Sequence, residues 1–233
     1  MTRSALIVGH GQPGDPAPAE ADMRALGQAV AKDLPGWQIL GTTLAAPGAL
    51  ESAVQTLAAP LIVPFFIADG IFTRQFLPGR LQDIGAGNLP RLQPFGLWPG
   101  TAALALGALR AALVDAGWPE SGTGLLLAAH GSARGSRAAM AARGIEARIR
   151  QETTFARHAL GFIEEPPFLA DAARDLGERT LCLPLFVARW DHVREDLPQA
   201  LSDAGFRGRV LDPLGCHPDV PALIARMLEG HGQ

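Results

Sequence analysis

The chain has few of the residues and segments that mark secreted, zinc-knuckle or membrane proteins. Its 233 residues include two cysteines, Cys182 and Cys216, whose spacing fits neither a disulfide scaffold nor a zinc knuckle. No run of 18 apolar residues occurs, which argues against a transmembrane helix. The four apolar residues at 5–8 are too few for the hydrophobic region of a secretory signal. We therefore expect a cytoplasmic protein with no membrane partner.

An excess of charge of one sign is also lacking. Twenty Lys and Arg residues stand against 23 Asp and Glu residues, so the formal net charge is −3 and indicates no nucleic-acid partner. The glycine-rich segment GHGQPGD at 9–15 lacks the Gly-Lys-Ser/Thr ending of a phosphate loop, and we predict no nucleotide cofactor. With 48% hydrophobic and 18% charged residues, the composition is that of an ordinary globular protein.

Three segments of the chain recur in the same order about 120 residues further along, which indicates an internal duplication. The matched pairs are ALIVGHGQ (5–12) with LLLAAHGS (125–132), VPFFIADGIFTRQFLP (63–78) with LPLFVARWDHVREDLP (183–198), and QPFGLWPGTAALALGAL (93–109) with DPLGCHPDVPALIARML (212–228). The turn-rich segment DAGWPESGTG at 115–124 reads as the linker. We predict two domains, 1–116 and 125–233.

Each half alternates short apolar runs with helical patterns, which predicts an α/β fold of two tandem flavodoxin-like domains. Each domain should hold a four-stranded parallel sheet in the order 2-1-3-4, with flanking helices. The predicted strands are 5–9, 37–42, 60–67 and 90–95 in the first half, and 125–129, 158–163, 179–186 and 208–213 in the second. The predicted helices of the second half are 134–152, 167–177, 193–204 and 218–229.

Polar side chains follow three neighbouring strands of the second predicted sheet. His130 follows the first strand, Glu164 and Glu165 close the second, and His192 lies in the loop after the third. The carboxyl ends of parallel strands share one edge of a sheet, so two imidazoles and a carboxylate should converge there. That set suits a divalent first-row metal ion.

The first half lacks this set. It keeps His10 at the position of His130, but Phe72 stands where His192 stands. Ala45 and Ala46 occupy the positions of the two glutamates. The pattern predicts an intact site in the second half and a degenerate, apolar and aromatic rim in the first. Taken singly, each residue also has a plain structural reading: His130 in a tight turn, His192 in a solvated loop and the glutamates at a helix entry.

The repeated segments resemble those of the sirohydrochlorin chelatase (CbiX-like) family, the class II tetrapyrrole chelatases. That family has a hydrophobic strand ending in His-Gly-Ser, here LLLAAHGS, and a Pro-Leu-Phe strand followed by x-His-Val-x-x-Asp-Leu/Ile-Pro, here LPLFVARWDHVREDLP. PLGCHP at 213–218 resembles a third segment. The resemblance covers most of 125–228 and, more weakly, 5–110. Phe72 departs from family members with a His pair in the first half, and Asp191 stands where a glycine usually precedes the His.

The resemblance implies that the protein inserts Co²⁺ or Fe²⁺, as a substrate, into sirohydrochlorin on the way to cobalamin or sirohaem. It implies that His130 and His192 bind the metal and accept protons, with Glu164 as the assisting carboxylate. The carboxylates of the macrocycle need cationic partners, and the candidates in the predicted rim loops are Arg134, Arg137, Arg189 and Arg194.

We place His10 and Phe72 on the opposite wall of the macrocycle site, and we expect a monomer with pseudo-twofold halves rather than an obligate oligomer. Two alternative functions remain: a non-catalytic tetrapyrrole- or metal-binding protein, and a metal-dependent hydrolase.

Overall fold

The computed structural model describes residues 3–231 and shows an α/β fold with two parallel sheets. The strands are β1 (Arg3–Gly9), β2 (Trp37–Thr43), β3 (Leu61–Pro64), β4 (Gly124–Ala129), β5 (Arg157–Phe162), β6 (Thr180–Pro184) and β7 (Arg209–Val210). The α-helices are α1 (Pro16–Asp33), α2 (Ala49–Thr56), α3 (Leu77–Asp83), α4 (Pro99–Ala116), α5 (Arg137–Glu152), α6 (Leu169–Ala173), α7 (Leu197–Asp203) and α8 (Val220–His231). Two π-helical turns (Phe72–Phe76 and His192–Asp196) run into α3 and α7, and short 3₁₀ turns occupy Phe95–Leu97, Glu120–Gly122 and Leu214–Cys216.

The strands that form keep the predicted order, complete in the second sheet and without the fourth strand in the first. The first sheet runs β2-β1-β3 and the second β5-β4-β6-β7, and all of these pairs are parallel. The central strands β1 and β4 are almost completely buried apart from Arg3, and they are continuously apolar over residues 5–8 and 125–129. Such continuous apolar strands are expected where helices cover both faces of a parallel sheet.

The fourth strand predicted for the first half, at 90–95, does not form. Only Arg91 makes an isolated parallel bridge, with Ile62. Pro90 and Pro94 flank this bridge, and proline has no N–H to donate to a ladder. The counterpart in the second half is also shorter than the predicted 208–213, since β7 comprises two exposed residues.

The helices begin and end differently from the sequence patterns. The helix predicted at 193–204 starts as a π-helical turn at His192, so His192 lies on a helical turn and not in a loop. Pro198 follows this turn, and its ring would clash with the carbonyl of Arg194 in a regular α-helix, which a wider turn avoids. The predicted helices 134–152 and 167–177 are shorter, at Arg137–Glu152 and Leu169–Ala173.

The compact units of the structure are divided differently from the predicted domains. Unit 1 holds β1–β3 and α1–α3 together with α8, and unit 2 holds α4 together with β4–β7 and α5–α7. Helix α8 packs against α1, and α4 packs against α5. The predicted linker at 115–124 therefore lies inside unit 2. A repeat in the sequence marks where the duplicated segment begins, but not which sheet its last helix covers.

Each unit has its own apolar core. In unit 1 the inward side chains of β1 and β3 pack with α2 and α3, and in unit 2 those of β4 and β6 pack with α6 and α7. Between residues 3 and 231, no helix combines the length and the apolar character needed to cross a membrane.

Candidate metal centre

His130 is held at the end of β4 by a turn that requires glycine. Gly131 adopts φ +71°, and a Cβ at this position would lie 2.9 Å from both Glu165 and Phe162. The backbone N–H of Glu164 donates to the carbonyl of His130 at 2.9 Å, so the ends of β4 and β5 are joined at this point. The imidazole consequently projects from the carboxyl edge of the sheet.

The two neighbouring glutamates have different surroundings. An oxygen of Glu165, Oε1, accepts the backbone N–H of Ser132 at 2.7 Å, so this carboxylate closes the turn after His130. Glu164 instead places its Oε1 3.8 Å from Nε2 of His130. Of the pair, Glu164 is therefore the carboxylate that faces the imidazole.

His192 is oriented by Asp196, which sequence reasoning left out of the site. The Nδ1–H of His192 donates to Oδ2 of Asp196 at 2.7 Å, within the same π-helical turn. His192 was predicted to lie in a loop, but on the helical turn that forms instead the spacing of four residues makes it a neighbour of Asp196. This carboxylate fixes the rotation of the ring and its tautomer.

The two imidazoles meet edge to face with their Nε2 atoms 3.0 Å apart and their ring centroids 4.2 Å apart. His130 donates its Nδ1–H to the carbonyl of Gly131 at 3.0 Å, so in both neutral rings Nε2 is the atom with a free lone pair. Two lone pairs at this separation repel each other unless a proton or a cation lies between them. Two metal–nitrogen bonds of about 2.0–2.1 Å at a right angle would hold their nitrogens about 3 Å apart.

The arrangement is open and incompletely coordinated. The side chains of His130, Glu164 and His192 are 34%, 47% and 50% exposed. Among residues 3–231 no group of three or more His, Cys, Asp or Glu side chains is placed to hold a metal ion, so the two histidines and Glu164 do not form a ready three-ligand site. An imidazole pair with one carboxylate nearby suits an ion that arrives and leaves better than a permanent structural metal.

In unit 1 the pair of rings equivalent to His130 and His192 has a similar geometry, but one of the two rings is not an imidazole. The rings of His10 and Phe72 meet edge to face with centroids 4.1 Å apart. Ala45 donates its N–H to the carbonyl of His10 as Glu164 does to His130, so it stands in the place of the carboxylate. Phe72 has no lone pair to offer a cation.

An aromatic stack replaces the oriented imidazole in unit 1. Phe76 occupies the position of Asp196, and its ring lies 5.2 Å from that of Phe72, which also stacks on Phe66 at 6.2 Å. Phe72 packs against the core of unit 1, and Phe76 is 51% exposed. The rim of this unit is therefore aromatic and apolar.

Arg134 and Arg194 lie in the segments that carry the two histidines. Both side chains are exposed. The backbone N–H of Arg134 donates to Oγ of Ser132, at 3.2 Å, four residues along from His130. Arg194 lies on the same π-helical turn as His192.

The buried carboxylate of Glu20 in unit 1 has a structural role. It accepts hydrogen bonds from the backbone N–H and the hydroxyl of Thr43, at 2.8 and 2.9 Å, and from the hydroxyl of Thr42. Glu20 also lines a cleft of about 330 Å³ beside α1. Its oxygens are occupied by the end of β2, so the carboxylate ties α1 to that strand.

Two ionisable groups with shifted pKa values lie outside the histidine pair. Burial lowers the pKa of His158 below 6.5, and the nearby Arg150 guanidinium acts in the same direction. Burial raises the pKa of the Cys182 thiol to about 12, which makes this thiol unreactive at neutral pH.

Comparisons with known proteins agree on one family. The CbiX family model matches residues 124–230. The solved structure of CbiX, described as the terminal enzyme for biosynthesis of sirohaem in denitrifying bacteria, is 49% identical, covers 98% of this chain and 99% of that chain, and has a TM-score of 0.90. A search of curated protein sequences gave no match.

Two more distant structures share the fold. SirB from Bacillus subtilis with Fe³⁺ has 17% identity and a TM-score of 0.74, and the match covers 100% of this chain and 98% of that one. A multidomain protein from Deinococcus radiodurans, described as similar to chelatases, has 23% identity and a TM-score of 0.76, and the match covers 100% of this chain and 56% of that one.

Proposed function

Because the chain belongs to the CbiX family of class II chelatases, we propose that it inserts a divalent metal ion, cobalt or iron, into sirohydrochlorin. The 49% identical CbiX is described as an enzyme of sirohaem biosynthesis, which supports Fe²⁺ as the first candidate metal. Cobalt, which would lead toward cobalamin, is the second.

The observation that carries this proposal is the convergence of two imidazole Nε2 atoms, 3.0 Å apart. Each ring uses its other nitrogen in a hydrogen bond, so both remaining lone pairs are available to one cation. Neutral imidazole binds Fe²⁺ and Co²⁺ well. His130 and His192 would hold the incoming ion, and Glu164 would offset part of its charge.

Metal insertion also requires proton acceptors. The macrocycle loses two pyrrole N–H protons as its four nitrogens bind the dication, so the charge balances with two protons released. An imidazole that has given up the metal has a free lone pair and can take one of these protons. Glu164, 3.8 Å from His130, can take the other. Because the protein supplies few ligands, the ion can leave for the ring.

The test is an anaerobic insertion assay with sirohydrochlorin and Fe²⁺, Co²⁺ or Ni²⁺, followed by absorbance. We expect the spectrum of the metallated macrocycle to appear faster than without protein for iron or cobalt. A bound but unmetallated spectrum would instead indicate a tetrapyrrole-binding protein. Metal-dependent hydrolysis of model esters without binding of the macrocycle would indicate a hydrolase.

A further inference from the structure

The two units differ at one position that decides whether a nearby arginine has an ion-pair partner. In unit 1, Nη1 of Arg74 forms an ion pair with Oδ2 of Asp69 at 2.9 Å. The other oxygen of Asp69 accepts the hydroxyl of Thr73 at 2.9 Å, so this carboxylate is held against the π-helical turn.

In unit 2 the position of Asp69 is taken by Arg189 and the position of Arg74 by Arg194. Arg189 turns away to Asp212, with Nη2 of Arg189 2.7 Å from Oδ1 of Asp212. Within the described residues, the structure gives Arg194 no ion pair.

The three acidic residues closest to Arg194 in the sequence do not replace the lost partner, and within the described residues no ion pair joins Arg194 to Asp191, three residues earlier. Asp196 accepts the Nδ1–H of His192 and is committed to that ring. Glu195 is the next residue on a helical turn, and adjacent helical residues do not face each other. The guanidinium of Arg194 is thus exposed two residues from a candidate metal ligand.

We propose that Arg194 is the anchor for a carboxylate of the macrocycle, and that the replacement of Asp by Arg at position 189 is what makes it available. This inference rests on the proposed function. A guanidinium offers two parallel N–H donors to a carboxylate, so it fixes direction as well as position. In unit 1, Asp69 competes for the equivalent Arg74. The macrocycle carboxylate is therefore bound on the side of the imidazole pair, which orients the ring nitrogens toward the metal.

The sharpest test of this proposal introduces the unit 1 residue, aspartate, at position 189. Arg189→Asp places an aspartate five residues before Arg194, as Asp69 is placed before Arg74 in unit 1. The new carboxylate should form an ion pair with Arg194. We expect Arg189→Asp and Arg194→Ala each to raise KM for sirohydrochlorin about tenfold or more, as for loss of a charge-assisted hydrogen bond. Co²⁺ binding measured without tetrapyrrole should stay unchanged in both.

Two control variants separate this effect from structural damage. Arg189→Ala removes the contact with Asp212 without giving Arg194 a partner, and Arg74→Ala removes the equivalent guanidinium of unit 1. Both should keep the KM of the unchanged protein. An ester of the macrocycle, which lacks carboxylate charge, should bind the unchanged protein and Arg194→Ala equally.

The outcomes distinguish this inference from the proposed function. If the unchanged protein inserts metal while Arg194→Ala and Arg189→Asp keep its KM, the carboxylate anchor is refuted and the chelatase proposal stands. If Arg189→Ala raises KM as much as Arg189→Asp, loss of the Arg189–Asp212 contact is the cause and the inference is again wrong. If the unchanged protein inserts no metal, the proposed function itself fails.

Discussion

At the scale of single residues, His192 and Phe72 differ in the one property on which the proposed metal site depends. Both rings meet a histidine edge to face at nearly the same distance, 4.2 and 4.1 Å, but only imidazole has a nitrogen lone pair. His130→Ala and His192→Ala should each lower metal insertion by about 10²–10⁴-fold, since each removes a proposed metal ligand and proton acceptor.

His10→Ala is the matched variant in unit 1, and it should cost far less because Phe72 offers no second ligand. Insertion rates and thermal melting would be measured for all three variants. A folded His10 variant without activity, beside an active His192 variant, would place the active half in unit 1.

Asp196 should matter through the ring it orients. Asp196→Ala leaves the Nδ1–H of His192 without its acceptor, and we expect about 10–100-fold weaker metal binding or activity. Asp196→Asn keeps an acceptor oxygen and should restore part of the loss. Glu195→Ala is the control for removal of one negative charge from the same turn. Equal effects of Asp196→Ala and Glu195→Ala would show that charge alone is responsible.

His158 should make folding sensitive to acid. Its Nδ1 is buried without a hydrogen-bond partner, and burial lowers its pKa in the folded protein below 6.5. The unfolded chain therefore binds more protons as the pH falls through 6.5, so the stabilisation present above that value is lost on acidification. Urea unfolding would be measured at pH 7.5 and 5.5. The unfolding free energy of His158→Leu should fall less between these two pH values than that of the unchanged protein. An equal loss in both would contradict this.

The sequence indicated His130, His192 and Glu164 because strand order alone brings the carboxyl ends of three neighbouring strands together. It could not distinguish Glu164 from Glu165, since that depends on which carboxylate accepts the N–H of Ser132. No role was predicted for Asp196. Its contact with the imidazole depends on a π-helical turn that the residue pattern did not reveal.

At the scale of elements, the turn after β4 is the point on which the position of His130 depends. Gly131→Ala introduces a Cβ 2.9 Å from Glu165 and Phe162 at φ +71°. We expect a loss of about 1–2 kcal/mol in unfolding free energy from the left-handed conformation alone, with a further loss from displacement of Glu165. Gly135→Ala is the control, because a Cβ there meets nothing within 4 Å. Similar unfolding midpoints for the two variants would exclude this role of Gly131.

Strand order and helix alternation could be predicted because hydrophobic periodicity and parallel pairing set them. The missing fourth strand of unit 1 shows the limit of this reasoning. The segment 90–95 is partly apolar, but Pro90 and Pro94 leave it too few N–H groups to extend the ladder beyond the Arg91 bridge. Periodicity reports which residues are buried and not whether a backbone donor is present.

At the scale of the whole molecule, α8 belongs to unit 1 and α4 to unit 2, and this assignment predicts which fragments can fold. A fragment of residues 96–217 contains every element of unit 2, whereas 125–233 lacks α4 and carries α8 without α1. We expect 96–217 to unfold cooperatively in urea and 125–233 to show a broader or weaker transition, followed by circular dichroism. A more cooperative transition for 125–233 would mean that the folding unit follows the boundary of the sequence repeat and not that of the compact unit 96–217.

The division of unit 1 between the two ends of the given sequence also sets the order in which the units can fold during synthesis. Domains generally fold as units while the ribosome adds about 5–20 residues per second, usually beginning with the N-terminal one. Here the N-terminal unit has to wait for α8, which is synthesised after the whole of unit 2, and until then the surface of α1 that α8 covers stays open to chaperones. The unit with the imidazole pair occupies one uninterrupted stretch of chain. It is therefore completed before the unit whose synthesis began first.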